Sequence, residues 1–163
     1  ALHMKGNNFF YHNACGRALA PQGLVDAGTA NGDQIDYPWR IGRQITFIAI
    51  GGALVAGVTA STWTVQGLLA SDGTTWEALK DASNNNLVFT AAKMKDAGEL
   101  DGGSVIGTIP FTDINLDAYK AIRLTVTDAG TGTHNIGAAY VISDLFAFPH
   151  TAKTDDLFAK VRG

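Results

Sequence analysis

The side chains able to do chemistry are thinly spread. Four histidines, His3, His12, His134 and His150, stand far apart, and none is spaced from another as a helical turn or hairpin would need for joint metal ligation. Read singly they are surface or turn residues. Cys15 is the sole cysteine, so thiols can supply neither an intrachain disulfide nor a zinc cluster. Asp113, Asn115 and Asp117 match the first three ligand positions of a calcium loop, but Ala118 stands where the loop requires glycine and Leu124 where it requires a bidentate glutamate. An Asx-rich connection, with side chains bonding their own backbone, explains the spacing better. Gly130 to Gly137 imitates a phosphate loop, yet its third glycine is misplaced and a strand pattern follows it, so no helix N-terminus would meet an anion and a hairpin loop is expected.

The familiar nucleophile, zinc-hydrolase and nucleotide motifs are missing, and Asp, Glu and Lys gather near turn signals, where solvated loops are expected. The reading is therefore of a protein without catalysis, metal or cofactor. The aromatic residues are more informative. Trp39, Trp63 and Trp76 are candidate platforms for a sugar ring, with loop Asn and Asp binding its hydroxyls. Trp63 and Trp76 also fall in a strand pattern, where tryptophan is more often core. Phe9, Phe10 and Tyr11 form a cluster that is costly to expose, so it docks on its own domain or on a neighbouring subunit.

The elements that must position these groups are strands. From Ser61 to Leu79, Trp63, Val65 and Gly67 share one face, Thr62, Thr64 and Gln66 the other, and Asp72-Gly73 supplies a tight reversal into a second strand. Ala121 to Asp128 alternates as cleanly, with Ile122, Leu124 and Val126 opposed to Arg123, Thr125 and Thr127, which marks a sheet with one solvated side. Further strands are predicted at Gln44 to Ile50, Ala53 to Val58, Leu87 to Ala92, Val105 to Phe111 and Ala138 to Phe148. Short strands at these intervals predict an all-β, antiparallel β-sandwich of seven or eight strands, of jelly-roll type. Only Thr154 to Val161 reads as a helix, a short C-terminal one with Leu157, Phe158 and Val161 on its apolar side.

The domain reading is a tag remnant at 1–4, an extended N-terminal arm at 5–43 punctured by Pro21, Gly23, Gly28, Gly32 and Pro38, a sandwich at 44–150 and a tail at 151–163. Lys5 to Asn13 lacks the apolar run of a secretion signal. The uncharged run from Ile45 to Ala60 has 16 residues with three glycines, short of the roughly 20 that span a bilayer, so no membrane is expected. With 163 residues, one core-bearing domain is the default, and a net charge of −3 with no basic stripe argues against nucleic acid.

The run Trp63 to Leu79, with its Ser71-Asp72-Gly73 turn and Trp76, is similar to the hairpin of galactose-binding-like sandwiches, and Tyr119 to Thr127 looks like a later strand of that pattern. Gly/Ala/Thr-rich strands with terminal arms also resemble jelly-roll bacteriophage capsid cement or decoration proteins. That resemblance implies a virion structural protein on the capsid surface, partnered by itself as a dimer or trimer and by the major capsid protein. Phe9, Phe10, Tyr11, Leu157 and Phe158 would be its interface residues. The alternative is a carbohydrate-binding module using Trp39, Trp63 or Trp76.

Overall fold

The computed structural model describes residues 12–52, 57–90 and 104–146. Ten strands account for nearly all of its regular structure: β1 (Ala14–Val25), β2 (Thr29–Asn31), β3 (Ile35–Asp36), β4 (Gln44–Gly51), β5 (Val58–Leu69), β6 (Trp76–Ala78), β7 (Val88–Thr90), β8 (Ser104–Pro110), β9 (Tyr119–Gly130) and β10 (Thr133–Ser143). They form two antiparallel sheets, one ordered β1-β10-β4-β8 and the other β2-β9-β5-β6, with β3 also on β9 and β7 also on β5. Taking β2 with β3 and β6 with β7 as two interrupted strands gives eight. The first then pairs the last, the second the seventh, the third the sixth and the fourth the fifth. This folded-over ribbon, wrapped so that β10 meets β4 and β9 meets β5, is the strand scheme of a jelly roll.

The core follows from strand parity. On β9, Ile122, Leu124 and Val126 point inward, and their register partners Gly67, Val65 and Trp63 on β5 point inward with them. From the other sheet come Ile45, Phe47 and Ala49 of β4 and Ile136, Ala138 and Ile142 of β10. Trp63, Phe47, Leu124 and Ile142 are all at most 2% exposed, so the two sheets close on a shared interior.

Several expectations need correction. The segment 14–43, read as part of an extended arm, supplies β1, β2 and β3 of the sandwich. Two register shifts in β1, between Arg17 and Leu19 and between Leu19 and Gln22, break the alternation that would have revealed it. The last strand begins at Thr133, not Ala138, because the turn before it is only Thr131-Gly132, flanked by positive φ at Gly130 and Gly132. That turn is not a hairpin loop: β9 and β10 lie in different sheets, so it is a corner between them. The strand stops at Ser143, where Asp144 adopts φ 55°. Asp113 and Asp117 lie in separate 3-10 turns, Phe111–Asp113 and Leu116–Ala118, which close through backbone bonds with no side-chain cap. The helix expected at 154–161 and the strand residues 53–56 and 91–92 lie outside the described residues, while β5 begins at Val58.

The Asp72 turn is wider than a two-residue reversal, running from Ala70 to Thr75, with Gly73 at φ 68°. Asp72 closes it by accepting the Thr75 hydroxyl and the backbone N–H groups of Thr74 and Thr75, the latter two at 2.9 Å. These bonds, the Thr75 hydroxyl first, hold its carboxyl down to about 2. A carboxylate depressed in the folded state stabilises above its unfolded value, about 3.9, and loses that contribution as pH falls through the folded one. Stability measured by denaturant midpoint should thus step down between about pH 4 and pH 2, and Asp72→Ala should flatten that step.

Candidate functional site

Each sheet presents an outer face, and the two faces differ in chemistry. Strands β4, β8 and β10 contain no Asp, Glu, Lys or Arg. Their outward positions are mostly apolar or hydroxylic, Thr46, Ile48 and Ile50 on β4, Ile106 and Thr108 on β8, Ala139 and Val141 on β10, with the amides of Gln44 and Asn135 toward the ends of their strands. Ile50 and Ile106 are 55% and 65% exposed, whereas a solvated sheet face ordinarily carries polar side chains there. The Thr46 and Thr108 hydroxyls bond each other at 2.9 Å across the strands, satisfying the polar part internally. Beside this face, an open depression of about 610 Å³ is lined by Leu19, Pro21, Ile50, Gly137 and Ala139, with Arg17 at its rim. Arg17 is neutralised by Asp33, its Nε 2.7 Å from Oδ2.

The outer face of the six-stranded sheet is polar and wired. Arg123 on β9 donates from Nε to Gln66 Oε1 on β5 at 2.8 Å, and its guanidinium carbon lies 4.2 Å from the centre of the Trp76 ring on β6. Thr125, two residues along and 6% exposed, offers its hydroxyl to Gln66 Oε1 at 3.1 Å and to Asn31 Oδ1 at 3.3 Å. Partial burial lowers the Arg123 pKa from its ordinary value. No carboxylate among the described residues pairs with it.

Between these faces lies a buried polar group that sequence reasoning missed. His134, read as a surface or turn histidine, is 1% exposed, and its Nδ1 is 2.9 Å from Asp128 Oδ2. Asp128 stands opposite Ser61 in the β5–β9 register, and Asp128 Oδ1, Ser61 Oγ and Trp63 Nε1 are buried without hydrogen-bond partners among the described residues. A serine, a histidine and an aspartate are thus neighbours, but Ser61 Oγ makes no hydrogen bond to the imidazole, and the group is closed to solvent. Strand parity was the available signal: if 122, 124 and 126 face inward, so does Asp128, and a buried aspartate demands a partner.

A polar cleft of about 410 Å³ at the edge of the sandwich is lined by Glu77, Lys80, Asp81, Asn84, Asn115 and Tyr119. Tyr119 donates its hydroxyl to Glu77 Oε1 at 2.8 Å, and burial, reinforced by that bond, pushes its phenol up to about 12. The group therefore stays protonated at neutral pH. Among the described residues, no three His, Cys, Asp or Glu side chains converge as metal ligands, and no helix is long and apolar enough to cross a membrane.

The three tryptophans do not form one surface. Trp63 is fully buried, out of reach of any ligand, which removes it from the sugar-platform reading. Trp39 sits in the 3-10 turn Pro38–Arg40, half-buried and edge-on to Tyr37 and Phe111. Trp76 alone reaches the polar face. Phe9, Phe10, Tyr11, Leu157 and Phe158 lie outside the described residues.

Fold and surfaces define an all-β sandwich with one apolar and one polar outer face. No family model and no curated protein matches the chain. Among solved structures it is similar to a mutant VP2 protein of infectious bursal disease virus in T=1 particles, at 16% identity and TM-score 0.48, covering 80% of this chain and 31% of that one. It is also similar to a family 28 carbohydrate-binding module specific for non-crystalline cellulose (11% identity, TM-score 0.39, 80% and 72% covered). A third similarity is to the CBM22-1–GH10 modules of Clostridium thermocellum xylanase 10B (10% identity, TM-score 0.40, 90% and 28% covered). The chain spans about a third (31%) of the length of the viral protein it matches.

Proposed function

We propose that the protein is a non-enzymatic structural component of a bacteriophage particle, a cement or decoration protein that self-associates on the capsid surface and staples neighbouring capsid subunits. One observation carries the reading: the outer face of the four-stranded sheet has no charge on β4, β8 or β10 and exposes Ile50 and Ile106. Such a face is costly in water and suits burial against a second surface. Stapling needs no reactive group, only modest burial repeated around a symmetric lattice, where each added contact multiplies avidity. The partners are further copies of this chain, as a dimer or trimer, and the major capsid protein; nucleic acid and membrane have no role in it.

Quantitative mass spectrometry of purified virions is expected to find the protein in hundreds of copies; absence from particles would refute the assignment. Ile106→Asp combined with Ile50→Asp should leave the fold intact, since both side chains are exposed, yet reduce association and particle binding at least about tenfold. Unchanged binding by that variant would remove this face from the interface.

A further inference from the structure

The outer face of the six-stranded sheet carries an arrangement that the particle reading does not use. Arg123 spends Nε on Gln66, and its guanidinium plane is fixed by that bond and by Trp76, 4.2 Å away. Gln66 turns its carbonyl oxygen toward Arg123 and Thr125, because Nε–H can only donate; its amide NH2 therefore points elsewhere. The single Thr125 hydroxyl hydrogen serves Gln66 Oε1 at 3.1 Å or Asn31 Oδ1 at 3.3 Å, and Asn31 stands at the end of this network with its amide beside it. The Gln66 acceptor is thus consumed within the network, while donors, the Arg123 Nη groups and the Gln66 amide, are left over. Three strands hold these groups in two adjacent rows, Asn31 opposite Thr125 in one and Gln66 opposite Arg123 in the next.

A donor-rich surface with a partly desolvated, unpaired guanidinium selects an acceptor-rich anion. Its surroundings indicate what kind. The face is an open sheet rather than a cleft, and the row beyond Thr125 and Thr64 consists of Thr29, Thr127 and Thr62; Thr29 and Thr127 bond each other at 3.0 Å, which leaves one hydroxyl hydrogen of that pair, their remaining lone pairs and the Thr62 hydroxyl to meet sugar hydroxyls. An extended peptide would instead pair with a sheet edge. From this geometry we propose that Arg123, Gln66, Asn31 and Trp76 form a binding site for an acidic saccharide, the carboxylate or sulfate engaging Arg123 and the ring hydroxyls lying along the threonine rows. The site is on the opposite sheet from the apolar face, so it stands or falls independently of the particle assignment.

Calorimetric titration of the full chain with a tetragalacturonate, a sulfated heparin-derived tetrasaccharide, a neutral cellotetraose and sodium acetate tests this. One or both acidic saccharides should bind at least about tenfold tighter than cellotetraose and acetate, and should weaken as salt is raised. The relative strength of uronate and sulfated sugar then identifies the charged group. Arg123→Met and Gln66→Leu should each weaken binding about tenfold with the melting transition retained, and Arg123→Lys, which keeps charge but loses the planar fork, should weaken it as well. Equal binding of the neutral sugar or of acetate, no binding of either acidic one, or full binding by Arg123→Lys would overturn the proposal.

Discussion

Asp128→Ala is expected to destabilise the protein by about 3–5 kcal/mol, because it strands His134 in an interior that leaves it 1% exposed. The loss has three parts that act together. The imidazole loses the acceptor or donor at 2.9 Å, a void opens opposite Ser61, and neither Ser61 Oγ nor Trp63 Nε1 gains a partner. Replacing both members is predicted to cost far less: Asp128→Leu with His134→Leu removes the buried polar pair as a unit and fills the space with apolar atoms. Urea unfolding of wild type, Asp128→Leu, His134→Leu and the double variant forms the required cycle. A loss in the double variant equal to the sum of the two single losses would show that the pair contributes nothing jointly and that packing alone accounts for the cost.

Trp63→Ala should cost a similar amount, about 3–5 kcal/mol, from the removal of the largest fully buried side chain. The indole belongs to the core cluster that residues of both sheets form, so its loss leaves a cavity that rigid strands cannot close. Trp63→Phe is the informative companion. Indole Nε1 has no hydrogen-bond partner among the described residues, so phenylalanine forfeits volume but no bond, and roughly 1–2 kcal/mol is expected. A phenylalanine variant as unstable as the alanine one would mean that Nε1 has a role the packing does not reveal. Either result separates Trp63 from ligand binding: the variants should change melting temperature, whereas substitution of Trp76, half-buried on the outer face, should change affinity.

The strands with unbroken alternation were legible from the residues alone. Trp63, Val65 and Gly67 against Ile122, Leu124 and Val126 give both the inner faces and, through parity, the outward placement of Arg123 and Gln66. What failed did so for identifiable reasons. β2 and β3 have three and two residues, too few for any period to register, and they form because β9 offers them an edge. β1 hides behind its two irregularities. The start of β10 is composed of Thr, His and Asn, residues that read as loop until the fold shows that His134 faces inward. The polar face was only partly visible: Trp76 could be singled out, but Gln66 and Arg123 are 57 residues apart and Asn31 and Thr125 are 94 apart, so only the register brings them together. The Asp128–His134 pair is close in sequence, yet its two residues belong to different sheets, and the corner at Thr131-Gly132 is what turns one toward the other.

The position of β10 has a consequence for how the molecule is made. Because β10 lies between β1 and β4, the four-stranded sheet lacks its centre until the chain has been synthesised through Ser143. β1, complete by Val25, must wait for a partner more than a hundred residues downstream, with Ala14 finally meeting Ile142. Pairing of this range carries a high loop-closure cost and is slow, on the order of milliseconds to seconds. Folding therefore completes only after the ribosome has delivered β10, and until then the apolar strands β1 and β4 are nascent surfaces in need of shielding, which favours coexpression with chaperones whenever the protein is produced.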